Sequence, residues 1–334
     1  MNTSTVAIVY GRVGPAAPPD EQDALVQVDA VRAALGRLGY QPIDVPLTLD
    51  LGVSAAVLAS SAPLLAFNLT ETIGGRGRLI HLAPSLLDSL GIPYTGAPAE
   101  AIYLTSHKIL AKKALACAGI DTPPWATAAA AARGALLFPP PFIVKSIWEH
   151  ASIGLEDSSV AKDSSALAAE IERRAVREGI ANLFVEGYVE GREFNLGLLS
   201  APDAAGQQVL PPAEIQFVGY PEGKPRVVGY RAKWVDGSFE YGNTRRCFSF
   251  PPEDQPLLAA LADLGRACWD LFGLRGYARV DFRVDQSGRP WILEINANPC
   301  IAPDAGFMAA AAQAGLTIDE VVARIIADTN GGIH

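Results

Sequence analysis

The sequence predicts an α/β unit at the N-terminus, followed by further strands and helices. Three observations support this fold class. Apolar strands alternate with amphipathic helices over roughly the first hundred residues. Later segments contain short apolar runs that are interrupted by single charged residues, and two longer runs near the C-terminus flank a turn. The fold therefore changes character along the chain.

Composition restricts the possible functions. The 334 residues are 49% hydrophobic and 19% charged, which fits a soluble enzyme of two or three compact units. The net charge of −9 argues against nucleic acid or an anionic membrane as a partner. The four cysteines show no paired spacing, and the N-terminus does not resemble a signal peptide, so we expect a reduced, cytoplasmic protein.

The N-terminal elements follow the order of an α/β unit. We expect a strand at Thr5–Tyr10 and a helix at Asp20–Leu38, where apolar residues recur at helical spacing. Further strands are expected at Ile43–Val45 and Leu64–Leu69, and a second helix at Leu79–Leu90.

Two features near these elements bear on ligand binding. The glycines Gly11 and Gly14 are not spaced as in a dinucleotide-binding loop. The glycine-rich segment Thr70–Gly77 carries Glu71 and Arg76 and suits a ligand-facing loop, although a plain connection explains it equally well.

The middle of the chain places lysines on regular elements. A helix capped by Thr105 or Ser106 carries Lys108 near its start. The apolar strand Phe142–Ile147 contains Lys145, which needs an anionic partner or an exposed position.

Further charged residues interrupt the strands that follow. Glu186 and Glu193 lie in two predicted strands on either side of Gly191. Val227–Trp234 is predicted as another strand and carries Lys233.

The stretch Tyr277–Pro299 is the most informative part of the sequence. It reads as a β-hairpin with a four-residue turn, which places Asp281 opposite Glu294 and puts Asn296 on the same face. Opposed carboxylates repel each other, so a cation is expected between them, and oxygen ligands favour Mg²⁺ over zinc. The alternative is a solvated polar face.

Taken in order, several segments resemble the ATP-grasp superfamily, and within it the D-alanine:D-alanine ligase family. The similarity spans most of the chain. The segments are IPYTG, HKILAKKALACAGI, VK followed by ASIG, VE before GREFN, ARVDF and LEINANP.

This resemblance implies a fold of the α/β and α+β classes, namely an ATP-grasp fold of two α+β subdomains with an N-terminal α/β domain. It divides the chain into an N-terminal substrate-binding domain at 1–104, a central ATP-grasp subdomain at 105–189 and a C-terminal subdomain with the metal site at 190–334. ATP is expected between the last two. A homodimer formed through the N-terminal domain is also implied.

The resemblance also implies residue roles. Lys108 and Lys145 match phosphate-binding lysines, and Trp148–Gly154, which includes Ser152, matches the loop over the phosphates. The remaining implied contacts are the adenine hinge at Glu186, Gly187 and Val189, the ribose at Glu193, a third phosphate lysine at Lys233, and the Mg²⁺ ligands Asp281, Glu294 and Asn296. Two Mg²⁺ ions are expected, with Mn²⁺ as a substitute. Arg279 and a backbone N–H near Cys300 match groups that stabilise an oxyanion.

The departures from the family lie in the amino-acid pockets. The family's His-Gly loop is replaced by Asn68–Glu71, and the tyrosine after the third lysine is Trp234. In the phosphate loop His150 replaces a glycine, and a serine that holds a carboxylate is replaced around Ala305. The candidates for substrate contacts are Glu21, Glu71, Arg76, His150 and Trp234.

Three hypotheses follow. We expect an ATP-dependent carboxylate–amine ligase that acts through an acyl phosphate on amino acids or small peptides in a specialised pathway. The alternative is a genuine D-alanine:D-alanine ligase of cell-wall synthesis. The third is an ATP-binding regulator without catalysis.

Overall fold

The computed structural model describes residues 4–148, 152, 154–202 and 206–331. Within these ranges the chain forms thirteen β-strands and twelve α-helices. The strands are β1 Thr5–Gly11, β2 Gln41–Leu47, β3 Leu65–Asn68, β4 Trp125–Thr127, β5 Phe142–Ser146, β6 Val160–Ala161, β7 Leu183–Gly187, β8 Gly191–Ser200, β9 Gln207–Val209, β10 Ala213–Phe217, β11 Thr244–Cys247, β12 Tyr277–Asp285 and β13 Pro290–Asn296. The α-helices are α1 Pro19–Arg37, α2 Leu51–Ser61, α3 Leu82–Leu90, α4 Ala99–Ser106, α5 Lys108–Cys117, α6 Ala128–Ala131, α7 Ser164–Glu178, α8 Tyr230–Trp234, α9 Phe239–Asn243, α10 Gln255–Phe272, α11 Gly306–Gln313 and α12 Ile318–Gly331.

The first sheet is parallel, with strand order β2-β1-β3. It confirms the predicted N-terminal α/β unit. Helix α2 was missed, because the buried side chains of this segment are Ser54 and Leu58, which leave little apolar periodicity. Asp50 caps α2 by accepting a hydrogen bond from the Gly52 N–H.

The C-terminal helices complete the core of this first sheet. Val322 and Ile325 of α12 lie in the same buried cluster as Val28 and Leu35 of α1 and Ile8 of β1. Residues distant in sequence therefore share one core, although the three sheets follow one another along the chain.

The second sheet has strand order β4-β7-β5-β6 and is antiparallel throughout. Helix α7 packs on it through Leu167 and Ile171, which share a buried cluster with Val144 and Val185. Lys145 lies on β5 in this sheet, as predicted.

The third sheet has strand order β11-β10-β8-β12-β13, with β9 paired to β8. Its buried face is covered by α10 and by the helices α4 and α5. Ile102 of α4 and Ala111 of α5 share a cluster with Leu261 of α10 and Val280 of β12. The boundaries at residues 104 and 189 remain a proposal.

The predicted cap near Lys108 is wrong. Thr105 and Ser106 belong to the preceding helix α4, and His107 separates it from α5. The Nδ1 atom of His107 accepts a hydrogen bond from the Leu110 N–H at 3.3 Å. Lys108 is therefore the first residue of its helix.

The strand predicted at Val227–Trp234 is also wrong. Tyr230–Trp234 forms the short helix α8. The Tyr230 N–H donates to the Leu155 carbonyl at 3.0 Å and the Ala232 N–H to the Gly229 carbonyl at 3.1 Å, so the chain turns instead of extending. Alternation of apolar residues over so short a segment does not distinguish the two conformations.

The hairpin of β12 and β13 is confirmed, with Asp281 opposite Glu294. The pairing near the turn is shifted by one residue from the symmetric arrangement, since Val284 pairs with Pro290. A bulge between Asp281 and Phe282 restores the predicted register. The shifted pairing and the bulge compensate each other, so Asp281 lies opposite Glu294 as predicted.

None of the helices in the described part of the chain combines the length and apolar content of a membrane span.

Replacing Ile325 with alanine tests the shared core. Ile325 is fully buried in the cluster that joins α12 to the first sheet. We expect a loss of about 2–5 kcal/mol in unfolding free energy, measured by urea denaturation. Val176→Ala is the control, because Val176 is 88% exposed. Equal losses in the two variants would contradict the shared core.

Candidate active site

One cavity of about 440 Å³ lies between the second and third sheets and is closed at one end by residues of the N-terminal unit. Fifteen of the residues predicted from the sequence line it. They are Arg279, Lys233, Cys300, Lys108, Lys145, Ser152, Glu186, Gly187, Val189, Glu193, Asp281, Glu294, Asn296, Glu71 and Trp234.

The floor of the cavity is formed by three adjacent strands. Asn195 of β8, Asp281 of β12 and Glu294 of β13 lie in one row across the sheet. The Asn195 side-chain amide donates to Asp281 at 2.8 Å. In the next row along the strand, Arg283 forms a 2.9 Å ion pair with Glu193. Side chains with period two therefore present charges on one face.

Cations flank the two opposed carboxylates. Arg279 donates to Asp281 from Nε at 2.7 Å and from Nη2 at 2.8 Å. Lys108 lies 3.4 Å from Glu294. These pairs hold the two carboxylates on the cavity wall.

The donor set suits a hard divalent cation. Asp281, Glu294 and Asn296 all line the cavity and offer oxygen atoms, which Mg²⁺ and Mn²⁺ prefer. Among the residues that the structure describes, no group of three or more His, Cys, Asp or Glu side chains is arranged to hold a metal. The predicted set has two carboxylates and one amide.

A buried ionic cluster fixes one of the predicted phosphate lysines. The Glu186 carboxylate accepts hydrogen bonds from Lys112 and, at 2.5 Å, from Lys145. Burial alone would raise the pKa of Glu186, but the two ammonium groups lower it overall. Lys112 also donates to Thr122 at 2.7 Å, and Thr122 donates to the Ile292 carbonyl at 2.8 Å. The cluster therefore connects the two sheets.

Lys233, the third predicted phosphate lysine, lies on α8 and lines the cavity. Burial lowers the pKa of Lys233, and the nearby charge of Arg279 acts in the same direction. The Ser152 hydroxyl donates to the Val228 carbonyl at 2.6 Å, just before this helix. The loop residue and the helix that carries the lysine are thus joined.

The end of the cavity that is closed by the N-terminal unit is acidic. Gln27 donates to the Glu71 carboxylate at 2.6 Å, and the Cys300 thiol donates to Asp23 at 3.2 Å. Burial raises the pKa of Glu71 to about 7, and the charge of Asp23 contributes in the same direction. Burial and the same two carboxylates raise the pKa of Cys300, so this thiol is protonated at neutral pH.

Three predicted substrate residues are not brought to the cavity wall. Glu21 is partly buried and Arg76 is exposed, and neither is among the lining residues. His150 lies outside the described residues. Asp20, beside Glu21, accepts a hydrogen bond from the Tyr230 hydroxyl at 2.9 Å.

Several residues of the site were missed by the sequence analysis. Lys112 lies one helical turn after Lys108, and Arg283 and Asn195 lie two residues beyond predicted strand residues, so periodicity could have identified all three. Asp23 gives no such signal, because a long-range contact brings it to Cys300.

Comparisons with known proteins identify the family of this chain. The family model described as the D-ala D-ala ligase C-terminus matches residues 124–327. A D-alanine–D-alanine ligase of Pseudomonas entomophila is 31% identical over 330 residues, which cover 97% of this chain and 92% of that protein. An uncharacterised protein of Sinorhizobium fredii is 27% identical over 310 residues, or 89% of this chain and 85% of that protein.

Solved structures share the fold. D-alanyl-alanine synthetase A from Vibrio cholerae has a TM-score of 0.75 at 18% identity and covers 98% of this chain and 99% of its own. A D-alanine–D-alanine ligase from Bacillus anthracis, solved in complex with ATP, has a TM-score of 0.71 at 20% identity, with 98% of both chains covered.

The fold is therefore the ATP-grasp fold with an N-terminal α/β domain, and the protein is an ATP-dependent ligase that forms C–N bonds. The chain belongs to the D-alanine:D-alanine ligase family.

Replacing Lys112 with methionine tests the buried cluster. The variant leaves the fully buried Glu186 with Lys145 alone, and losing one partner of a buried ion pair costs about 3–5 kcal/mol. We expect thermal unfolding at a clearly lower temperature than for the wild type. Lys113→Met is the control, since Lys113 is the exposed neighbour on the same helix. Similar losses in the two variants would contradict this assignment.

Glu71 predicts a pH dependence of stability. Its pKa rises from 4.5 to about 7 on folding, so between these values the native state holds a proton that the unfolded state has lost. Stability should fall as pH rises through this window, by at most about 3–4 kcal/mol at about 1.4 kcal/mol per pKa unit. Thermal unfolding of the wild type and Glu71→Gln from pH 4 to 8 measures the difference, and parallel curves would contradict the raised pKa.

Proposed function

We propose that this protein joins two D-alanine molecules in an ATP-dependent reaction through an acyl phosphate. The relatives named above favour this reaction over the different substrate pair that the departures from the family led us to expect. The observation that carries the proposal is the convergence of three lysines, Arg279 and the Asp281–Glu294 pair on one cavity. We place the reaction in the cytoplasm.

The nucleotide would occupy the end of the cavity near the second sheet. Gly187 ends β7 and Val189 lies two residues beyond it; both line the cavity and would contact the adenine, and Glu193 would contact the ribose. Lys108, Lys145 and Lys233 would bind the phosphates, because their charges offset the anions that meet during phosphoryl transfer. Ser152 would contribute to the loop over the phosphates.

The proposed site for divalent cations lies on the wall of the cavity that the third sheet forms. Asp281, Glu294 and Asn296 would hold two Mg²⁺ ions, or Mn²⁺, which supply charge neutralisation for the transferred phosphoryl group. Arg279 is fixed by two hydrogen bonds to Asp281 and would stabilise the oxyanion that forms when the amine attacks. The backbone N–H of Cys300 is proposed as the second donor to this oxyanion.

A second candidate is a ligase that uses another amine acceptor. Asp304 and Ala305 line the acidic end of the cavity, and neither side chain offers a positive charge or a hydroxyl donor to an acceptor carboxylate. Trp234 would border this acceptor.

The homodimer through the N-terminal domain remains a prediction.

Phosphate release from ATP and Mg²⁺ with single and paired D- and L-amino acids tests the reaction, with mass spectrometry of the products. We expect D-alanine alone to stimulate release and yield the dipeptide. Asp281→Asn should reduce the rate about 100-fold or more, since it removes an electrostatic group of the site. Asp263→Asn is the control, because Asp263 is exposed on α10.

The other outcomes separate the hypotheses. Release only with another pair would support the second candidate and identify its substrates. Binding of ATP without stimulation by any amino acid would contradict both and favour a non-catalytic regulator.

A further inference from the structure

Two carboxylates, Asp23 and Glu71, lie at the acidic end of the cavity. Among the residues that the structure describes, no lysine, arginine or histidine forms an ion pair with either of them. Both nevertheless line the same cavity as Arg279 and Lys233. A negative pair in a partly enclosed site favours a cationic ligand, because burial without a counter-charge is costly.

Neighbouring groups hold these carboxylates in place. Gln27 donates to Glu71 at 2.6 Å and accepts from the Ile301 N–H at 3.4 Å, so it bridges α1 to the segment after β13. The Cys300 thiol donates to Asp23 at 3.2 Å and accepts from the Ala302 N–H at 3.4 Å. The carboxylates are therefore fixed beside the proposed oxyanion site.

Further acidic groups strengthen the attraction for a cation. Asp304 lines the same end of the cavity, and its charge adds to burial in raising the pKa of Asp23. The cations facing Glu71 are Arg279 and Lys233, which are needed for the phosphate and the oxyanion.

We infer that Asp23 and Glu71 bind the ammonium group of the attacking substrate beside Arg279, and that Glu71 accepts its proton. This inference rests on the proposed ligase function. An amine that attacks the acyl phosphate must lie next to the oxyanion site, and these carboxylates border that site through Cys300.

The proposed step conserves atoms and charge. The ammonium transfers one proton to the Glu71 carboxylate and becomes a neutral amine, whose lone pair forms the C–N bond. The C–O bond to phosphate then breaks, and phosphate leaves with the electron pair. The second amine proton passes to the departing phosphate.

Hydroxylamine separates this role from activation of the first substrate. It is largely uncharged at neutral pH and traps an acyl phosphate as a hydroxamate without needing an ammonium site. We would incubate each variant with ATP, Mg²⁺ and D-alanine, with and without hydroxylamine, and measure dipeptide and hydroxamate.

In Asp23→Asn and Glu71→Gln, dipeptide formation should fall roughly 10- to 100-fold while hydroxamate formation persists, as for loss of a hydrogen bond to a charged group. Asp29→Asn, an exposed change on the same helix, should alter neither product. Thermal unfolding would confirm that the variants fold.

The remaining outcomes oppose the inference. A parallel loss of both products in folded variants would mean that these carboxylates serve the first substrate. No change in either product would remove them from the reaction. Absence of hydroxamate and dipeptide with the wild type, over the whole amino-acid panel, would overturn the proposed function itself.

Discussion

The site depends on keeping two like charges opposite each other in a sheet. Asp281 and Glu294 face each other across the hairpin, while Val280 and Ile295 on the other face are buried in the core. The apolar face fixes the register, since a shift by one residue would exchange the two faces. The energy of the core thus maintains an arrangement that electrostatics alone opposes, and Arg279 offsets part of that repulsion.

A chain of polar contacts connects the second sheet to the hairpin that carries the two carboxylates. From Glu186, a chain of hydrogen bonds runs through Lys112 and Thr122 to the Ile292 carbonyl on β13. A buried ionic cluster contributes little net stability, because desolvation offsets the attraction. Its effect is positional: it holds Lys145 at a fixed distance from the carboxylates on the opposite sheet. Lys145, a proposed phosphate-binding residue, and the proposed metal ligands are therefore held by one connected set of contacts.

The sequence predicted the candidate site most successfully where its residues lie on paired strands. The opposed carboxylates could be predicted because Asp281 and Glu294 are equally far from the turn, and the bulge beside Asp281 offset an incorrect pairing near that turn. It failed at Val227–Trp234, where a contact with Leu155 sets the backbone conformation. Contacts between residues distant in sequence, such as Asp23 with Cys300, leave no pattern in a single sequence.

The distribution of charge along the cavity matches an amino acid better than it matches a simple anion. The lysines and Arg279 would attract the anionic acyl phosphate, whereas Asp23 and Glu71 would attract the ammonium group of the proposed attacking substrate. The ammonium of the attacking substrate is thus attracted to the acidic side of the acyl phosphate, and the reverse orientation would place its carboxylate against Asp23 and Glu71, where like charges repel. Because the opposite charges lie on different elements of the fold, the packing of the N-terminal unit against the third sheet brings them to the same cavity.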